Sequence, residues 1–419
     1  MKAPSNRRVF VVGYGAATPL GKTFPETWKR AVNGEAGFGK VTRCQVNALS
    51  HVVGEIPDWD PNDFADAKEV YNWNADFVLL TVAVCREALA HAGLEMDEDT
   101  APRTACLVGS ALNGMDAFRI AMDNYVNKGP LKVSPYLLPN LCANLPSGKA
   151  GMALKFSGPI FSPQGACASG NYAVGLGARM IRDGDCDFVL AGGVDTSLVP
   201  EIIHGFENMN ATVKILPGDR AHDDAGQASR PFSIDRKGFV LSEGAGVLVL
   251  APEEKLSLYG LKPKAEVLGV GWSSDAYHFT RRNPDTVTRA IREAIDDADL
   301  APQDIQYVNT HGTSTPRGDS MEVECLKRVF GGHLEKMPIS SNKSQIGHTL
   351  GGAAAIEGAL SIEAMQRGVI LPTINHIPDP AFEGVDVVPN ETRKMPHELF
   401  LSNAFGFGGT NCCIVFGGV

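Results

Sequence analysis

Short β-branched runs alternate with longer helical stretches along this 419-residue chain, and that alternation restricts it to few architectures. Residues 9–13 (Val-Phe-Val-Val-Gly) read as a buried strand, and residues 76–92 as a helix so apolar that it must be buried too. Strand-like runs follow at 106–109, 188–193 and 246–250. The second half repeats the theme, with strands predicted at 265–270, 307–309, 399–402 and 412–416, and helices at 285–298 and 350–367. Such an order implies an α/β fold with sheets covered on both faces. The polar stretch 252–263, which contains Gly260, is the natural seam between two comparable halves, 1–258 and 259–419. No repeat of fixed period is present, but each half has a small-residue turn entering a helix, at Cys167 and again at 343–351. The stretch 217–231, rich in Asp, Ala, Gly and Arg, reads as a long surface loop.

Bulk properties narrow the function. The net charge of −10 argues against a general nucleic-acid binder. No stretch reaches the roughly 18 apolar residues of a membrane span, and the short apolar run after Arg8 does not make a signal peptide. Nine cysteines is an odd number without paired metal spacings, and adjacent Cys412 and Cys413 are not a zinc pattern. Reduced thiols in a cytoplasmic setting are expected.

Chemistry concentrates in three segments. In Gly165-Ala166-Cys167-Ala168-Ser169-Gly170 a cysteine sits where an extended stretch turns into a predicted helix. Helix N-termini carry unpaired N–H groups and partial positive charge, so a thiol there is biased toward thiolate. A thiolate beside free N–H donors suits acyl transfer. Equally, Cys167 could be a small buried hydrophobe, as Cys85 is in its apolar run. The other segments are Asn309-Thr310-His311-Gly312-Thr313-Ser314-Thr315 and Ser341-Asn342-Lys343-Ser344-Gln345-Ile346-Gly347-His348. Each sets a histidine among small polar residues at the edge of a predicted element, where loops carry function. His51, His91, His204 and His397 read instead as surface or filler; for His311 and His348 both readings stay open.

Together, these three segments and Phe405-Gly406-Phe407-Gly408-Gly409-Thr410-Asn411 resemble the β-ketoacyl-acyl carrier protein synthases, most closely the type II elongating ketosynthases. The resemblance runs from residue 9 to Phe416 and includes Gly238-Phe239-Val240-Leu241 and residues 273–278. It implies a thiolase-like fold, two similar α/β halves stacked as five αβαβα layers, usually in a homodimer. It implies that Cys167 accepts an acyl chain from a carrier-protein thioester. His311 and His348 would assist decarboxylation of a malonyl thioester and stabilise the enolate, which attacks the Cys167 thioester to extend the chain by two carbons. The N–H groups of Cys167 and Phe407 would form the oxyanion hole. Lys343, paired with Glu322, would orient the histidine site. Thr313 and Thr315 match the threonines that bind the phosphopantetheine arm. Phe405 and Phe407 match the gate of the acyl pocket, with Gly408 a substrate-binding position beside it, and Phe239 matches an aromatic near the nucleophile. Leu112 matches a pocket residue that limits chain length. Asn309, Glu357, Ser402 and Asn411 match positions where some relatives hold a structural cation; generic structural roles suit them as well, and neither a metal nor a cofactor is expected.

Departures from the family pattern bear on partner and pathway. Where a basic patch for the acidic carrier protein is expected, residues 68–76 carry aromatic and amide side chains, and Leu131 and Asn210 stand where arginines are common. Lys132 is retained, and Arg281 and Arg282 add charge near the active-site loop. Either drift or a dedicated carrier protein or partner subunit would account for this. Arg236-Lys237-Gly238-Phe239 replaces the family's Arg-Asp-Gly-Phe, reversing a charge near the pocket, and the loop 208–229 is longer than in primary-metabolism relatives. A dedicated ketosynthase of a type II polyketide or polyene pathway is therefore the alternative to fatty-acid elongation. A non-catalytic chain-length-factor-like subunit is disfavoured, because such partners lose the cysteine and usually a histidine; pairing with such a subunit is the alternative to a homodimer.

Overall fold

A computed structural model describes residues 7–65, 67–73 and 75–419. Residues 1–6, on which the signal-peptide reading rests in part, and Asn74 of the docking stretch lie outside the described residues. Ten strands form one continuous sheet. In chain order they are β1 (Val9–Ala17), β2 (Thr104–Gly109), β3 (Ile160–Phe161), β4 (Phe188–Asp195), β5 (Gly244–Pro252), β6 (Ala265–Ser274), β7 (Tyr307–Asn309), β8 (Ile339–Ser340), β9 (Leu399–Gly406) and β10 (Thr410–Gly417). The spatial order is β8-β7-β9-β10-β6-β1-β5-β4-β2-β3. Each set of five therefore has the same order and sense. The first strand pairs antiparallel with the fifth, the fifth antiparallel with the fourth, and the fourth, second and third run parallel. The sets meet where Phe10 and Val11 of β1 pair with Glu266 and Ala265 of β6.

Among the helices, those that form the layers or reach the site are α1 (Asp76–Ala92), α2 (Leu145–Leu154), α3 (Ser169–Arg182), α4 (Pro200–Asn208), α5 (Pro284–Asp297), α6 (Pro316–Phe330) and α7 (Ala353–Gln366). One outer core joins α1 and α2 to the first set of strands, through Val78, Leu80 and Cys85 against Val12, Cys106 and Val249. Its counterpart joins α5 and α6 to the second set, through Ile291, Ile295 and Leu326 against Val308, Leu401 and Val415. Between them α3 and α7 form the central layer, with Ala173, Val174, Ile356 and Leu360 in the largest core. Each fully buried Val, Leu or Ile there contributes about 1.5–3 kcal/mol. These are the five αβαβα layers of a thiolase-like fold.

Local sequence explains the elements. The predicted helix 76–92 is α1, closed by Gly93 at φ +67, whose N–H caps Ala90 and Leu89 carbonyls. In β1 the glycines let α1 lie close: a Cβ on Gly13 would come within 2.6 Å of the Ala88 carbonyl oxygen. Asn283 caps α5 by accepting from the Asp285 amide, with Pro284 at the first helical position. Helix α7 has no polar face because strands and α3 surround it, with even Glu357 and Ser361 buried.

Two stretches differ from the sequence reading. The polar seam holds a short helix, Glu253–Tyr259. The predicted surface loop 217–231 is pinned from inside: Arg230, 1% exposed, donates to both oxygens of buried Asp219 at 2.8 and 3.1 Å. A buried, bidentate guanidinium in a glycine-rich loop is invisible to a reading based on polarity. Among the described residues no helix is long and apolar enough to cross a membrane.

Candidate active site

The central helices α3 and α7 begin at the same place, and each is preceded by a turn bearing one of the singled-out residues. After β3, Gly165 enters a single 3-10 turn, Ala166–Ala168, which leads into α3. Ala166 has φ +49, an uncommon conformation for a residue with a Cβ, and this kink lifts Cys167 into the space between the halves. Ser169 holds the kink, accepting from the Gly165 amide at 3.0 Å and donating to the Ala166 carbonyl at 2.7 Å. From the other half Thr410 donates to the Gly165 carbonyl at 2.7 Å. At Gly406 a Cβ would lie 2.1 Å from that same oxygen, so only glycine lets the β9–β10 turn approach.

Cys167 is 7% exposed. Burial pushes its thiol up to about 11, against the pull of Arg282, Lys343 and the Phe407 amide, while Asp195 adds to the rise. The expected bias toward thiolate is therefore overridden: the helix start is present, but the apolar cap around the sulfur costs the charged form more. That cap includes Phe239, Leu241, Leu350, Leu198 and half-buried Leu112 and Phe206.

The histidines face each other across this space, with ring centroids 5.6 Å apart and planes at 87°. His311 follows β7, and its Nδ1 accepts the Phe405 N–H at 3.4 Å, which leaves the ring proton on Nε2. His348 is held by its backbone, donating to the Val240 carbonyl at 2.8 Å and accepting from the Ser242 amide at 3.1 Å. Its ring stands edge-on to Phe239, 5.2 Å away. Burial, then the positive charges of Lys343 and Arg282, keep both imidazoles far below their ordinary range and therefore neutral. Two neutral N–H donors beside a buried thiol are what acyl-transfer and enolate chemistry require.

The supporting ion pairs differ from expectation. Lys343 does not pair with Glu322: its Nζ lies 2.6 Å from Glu357 of α7, and both side chains are 1% exposed. Glu322 has no room for it, because its carboxylate accepts the His311 and Gly312 amides at 2.8 Å each and Asn403 at 3.1 Å. Glu322 thus fixes the His311 backbone directly, and Lys343 acts at range. Of the positions considered for a cation, Glu357 is engaged by Lys343 and Asn411 donates from Nδ2 to Ser273 and Asp275, while Asn309 Oδ1, Ser402 Oγ and Asn411 Oδ1 are buried without a hydrogen-bond partner. Among the described residues no group of three or more His, Cys, Asp or Glu could hold a metal ion.

The aromatic gate also changes. Phe405 does not line the mouth; it is fully buried in the second outer core, against His311. The strand β9 ends at Gly406, so Phe405 stays on its inward face while half-buried Phe407, already in the turn, is released from that alternation and faces Phe206 at 6.4 Å. Phe206 in turn meets Phe239 at 5.3 Å. Thr313 and Thr315 lie side by side, hydroxyls 3.1 Å apart, and exposed Gly408 at φ +80 donates to the Phe279 carbonyl at 2.8 Å. The reversed charge at Lys237 does not reach the pocket, since its Nζ is 2.6 Å from Asp219.

Three residues of the site escaped the sequence reading. Phe206 shares a face of α4 with Ile202 and Ile203, a short apolar stripe after Pro200 that could have marked it. Asn403 and Asp195 gave no such signal. Buried Asp195 accepts from Ser110, Ala111, Leu112 and Gly351 at 2.7–3.0 Å, tying the Leu112 turn to the start of α7.

Comparisons with known proteins agree with this geometry. The family model "Beta-ketoacyl synthase, N-terminal domain" matches residues 6–255, and "Beta-ketoacyl synthase, C-terminal domain" matches residues 264–376. The chain is 36% identical over 415 residues to 3-oxoacyl-[acyl-carrier-protein] synthase 2 of Staphylococcus aureus (strain COL), covering 98% of each. It is equally similar, 36% over 413 residues and 98% of each chain, to the enzyme of the same name from Coxiella burnetii. Among solved structures, a β-ketoacyl synthase from Burkholderia phymatum matches at TM-score 0.89 and 31% identity, over 99% of this chain and 100% of that one. The ishigamide ketosynthase/chain length factor matches at TM-score 0.89 and 30% identity, over 99% of both.

Proposed function

This chain belongs to the β-ketoacyl synthase family, and on that premise we propose that it is a β-ketoacyl-[acyl-carrier-protein] synthase, an acyltransferase that condenses a cysteine-bound acyl chain with malonyl-carrier protein. The observation that carries the reading is the meeting of one buried thiol and two neutral imidazoles at the junction of the halves.

In the first step the Cys167 sulfur attacks the carbonyl of an acyl-carrier thioester. Charge developing on that oxygen is met by the Cys167 and Phe407 amides. The carrier thiolate leaves and ends with the proton that Cys167 gave up. In the second step the malonyl thioester loses carbon dioxide, and its carbonyl oxygen gathers the resulting charge. His311 donates from Nε2 and His348 supports the same oxygen. Because neither imidazole is protonated, neither delivers a proton that would quench the carbanion. The enolate carbon then attacks the Cys167 thioester, and collapse of the tetrahedral adduct expels the cysteine thiolate with the lengthened β-ketoacyl chain on the carrier. Glu322 and the Lys343–Glu357 pair position the histidines; Thr313, Thr315 and Gly408 flank the phosphopantetheine arm; Phe239 and Phe407 border the acyl pocket. We read 1–258 and 259–419 as the nucleophile-bearing and histidine-bearing halves, in a cytoplasmic dimer served by an acyl carrier protein. Mass spectrometry of Cys167 after incubation with acyl-carrier proteins tests the reading: an acyl adduct on Cys167 supports it, and loading at another cysteine refutes it.

Leu112 sets the depth available to the chain. Leu112→Phe is expected to cut turnover of the longest accepted acyl groups roughly tenfold while short ones proceed; an unchanged product profile would remove Leu112 from the pocket.

A second reading, a dedicated ketosynthase of a type II polyketide or polyene pathway, draws on the likeness to the ishigamide ketosynthase/chain length factor. The docking face supports a dedicated partner. Tyr71 and Leu131 are exposed, Leu131 to 97%, where charged residues would steer an acidic carrier. Charge steering acts chiefly on association rate, so turnover with the natural carrier should vary little with salt. A steep fall with rising salt would contradict that docking mode.

A further inference from the structure

One arginine near the reacting sulfur has no part in the chemistry described so far. Arg282 lies in the loop between β6 and α5, and its half-buried guanidinium turns inward against the β9–β10 turn. Nη2 donates to the Phe405 carbonyl at 2.7 Å and Nη1 to the Gly406 carbonyl at 3.1 Å, and the guanidinium carbon stands 5.4 Å from the centre of the Phe405 ring. Both acceptors are neutral, so they hold the cation without cancelling its charge.

The Gly406 carbonyl and the Phe407 N–H are the two ends of one planar peptide. That N–H faces the Cys167 sulfur. A cation bonded to the oxygen of a peptide draws electron density from its nitrogen and strengthens the hydrogen bond that the N–H donates. We propose that Arg282 is a positioning residue for the acyl-transfer step: by clamping the Phe405 and Gly406 carbonyls it aims and polarises the Phe407 amide that receives the developing oxyanion. The clamp reaches the histidine side as well. Phe405 contributes its carbonyl to Arg282 and its N–H to His311 Nδ1, so one residue of β9 is held at both ends.

The same guanidinium favours the thiolate. The charged and titratable groups around Cys167 are Arg282 and Lys343, which favour it, Asp195, which opposes it, and the neutral His311 and His348. Of the charges acting on the sulfur, that of Arg282 is the largest.

The proposal rests on the acyl-transfer reading above, and its test separates the two. The rate of Cys167 alkylation by iodoacetamide is followed against pH in the full-length protein without substrate, alongside transfer of an acyl group from an acyl-carrier thioester. If wild type takes no acyl group, the functional reading fails first, whatever the arginine does. Arg282→Met should move the alkylation profile upward by about one pH unit and slow acyl transfer roughly 10- to 100-fold. An unmoved profile with wild-type acyl transfer overturns the proposal. Should the methionine variant not fold, Arg282→Lys decides. It keeps the charge, so the profile should stay near that of wild type, but a point charge cannot hold two carbonyls as a fork does, and acyl transfer should still fall roughly tenfold. A lysine variant equal to wild type in acyl transfer also overturns it.

Discussion

Replacing Cys167 with glutamine will end condensation, by roughly 10⁴-fold or more, while malonyl decarboxylation continues. Condensation needs a sulfur to carry the growing chain, and losing a covalent nucleophile is among the largest single effects known in enzymes. Decarboxylation needs only a place for the charge that moves onto the thioester oxygen, and the donors for that are His311 and His348. Their geometry does not depend on the thiol: His311 is fixed by the Phe405 amide and Glu322, and His348 by Val240 and Ser242. A glutamine amide also fills the space beside Phe239 and Leu350 without introducing charge. The check is carbon dioxide release from malonyl-carrier protein, assayed beside β-ketoacyl product. Cys167→Ser should likewise lose acyl transfer with unchanged melting behaviour. Full condensation by either variant would end the covalent mechanism.

Lys343→Met should be the most destabilising single change at the site, about 3–5 kcal/mol, because it leaves Glu357 buried without its partner. Burial already pushes the Glu357 carboxyl up to about 7 with the lysine present, and the lysine is what pulls it down. Without Lys343 the carboxyl will take a proton when folded. A group whose folded value lies above its ordinary 4.5 stabilises the fold in acid, and loses that contribution as pH rises through the folded value. The deficit of the variant should therefore be smaller at pH 6 than at pH 8, read by chemical denaturation at both. Lys343→Met with Glu357→Leu removes both charges and should regain much of the stability. Activity should not return with it, because the ammonium that helps keep both imidazoles neutral is gone. Recovery of activity in the double variant would reduce Lys343 to a packing role.

Much of the fold was legible because it is written in runs. Val9-Phe10-Val11-Val12 and the apolar stretch of α1 announce buried elements at their own period, and every strand predicted in the second half lies within a strand of the sheet. The site was legible as motifs, each a glycine-rich turn around one reactive side chain. What the sequence left hidden is what depends on a third dimension. Lys343 has two buried glutamates within electrostatic reach, and only the backbone amides already occupying Glu322 decide between them. Phe405 and Phe407 look equivalent in the motif, but two residues apart at the end of a strand they part company once the chain leaves β9. The thiol shift depended on how completely apolar neighbours from distant segments close over the sulfur. Arg230, within a stretch read as surface loop, and Arg282, read only as charge near the active-site loop, are drawn inward by the Asp219 carboxylate and by the Phe405 and Gly406 carbonyls.

The doubled strand order has a consequence for the life of the chain before it is complete. The half made first carries the thiol; the arginine, lysine, amide and imidazoles that make it useful all belong to the half made last. Until the later half is made, Cys167 lacks Leu350 of its apolar cap together with Arg282, Lys343 and the Phe407 amide that act on its sulfur. The set of groups that the proposed chemistry uses is complete only where the β9–β10 turn meets the Gly165 kink. Competence and completeness thus coincide: a chain that stops within the first set of strands keeps the thiol but none of the imidazoles that the proposed condensation requires.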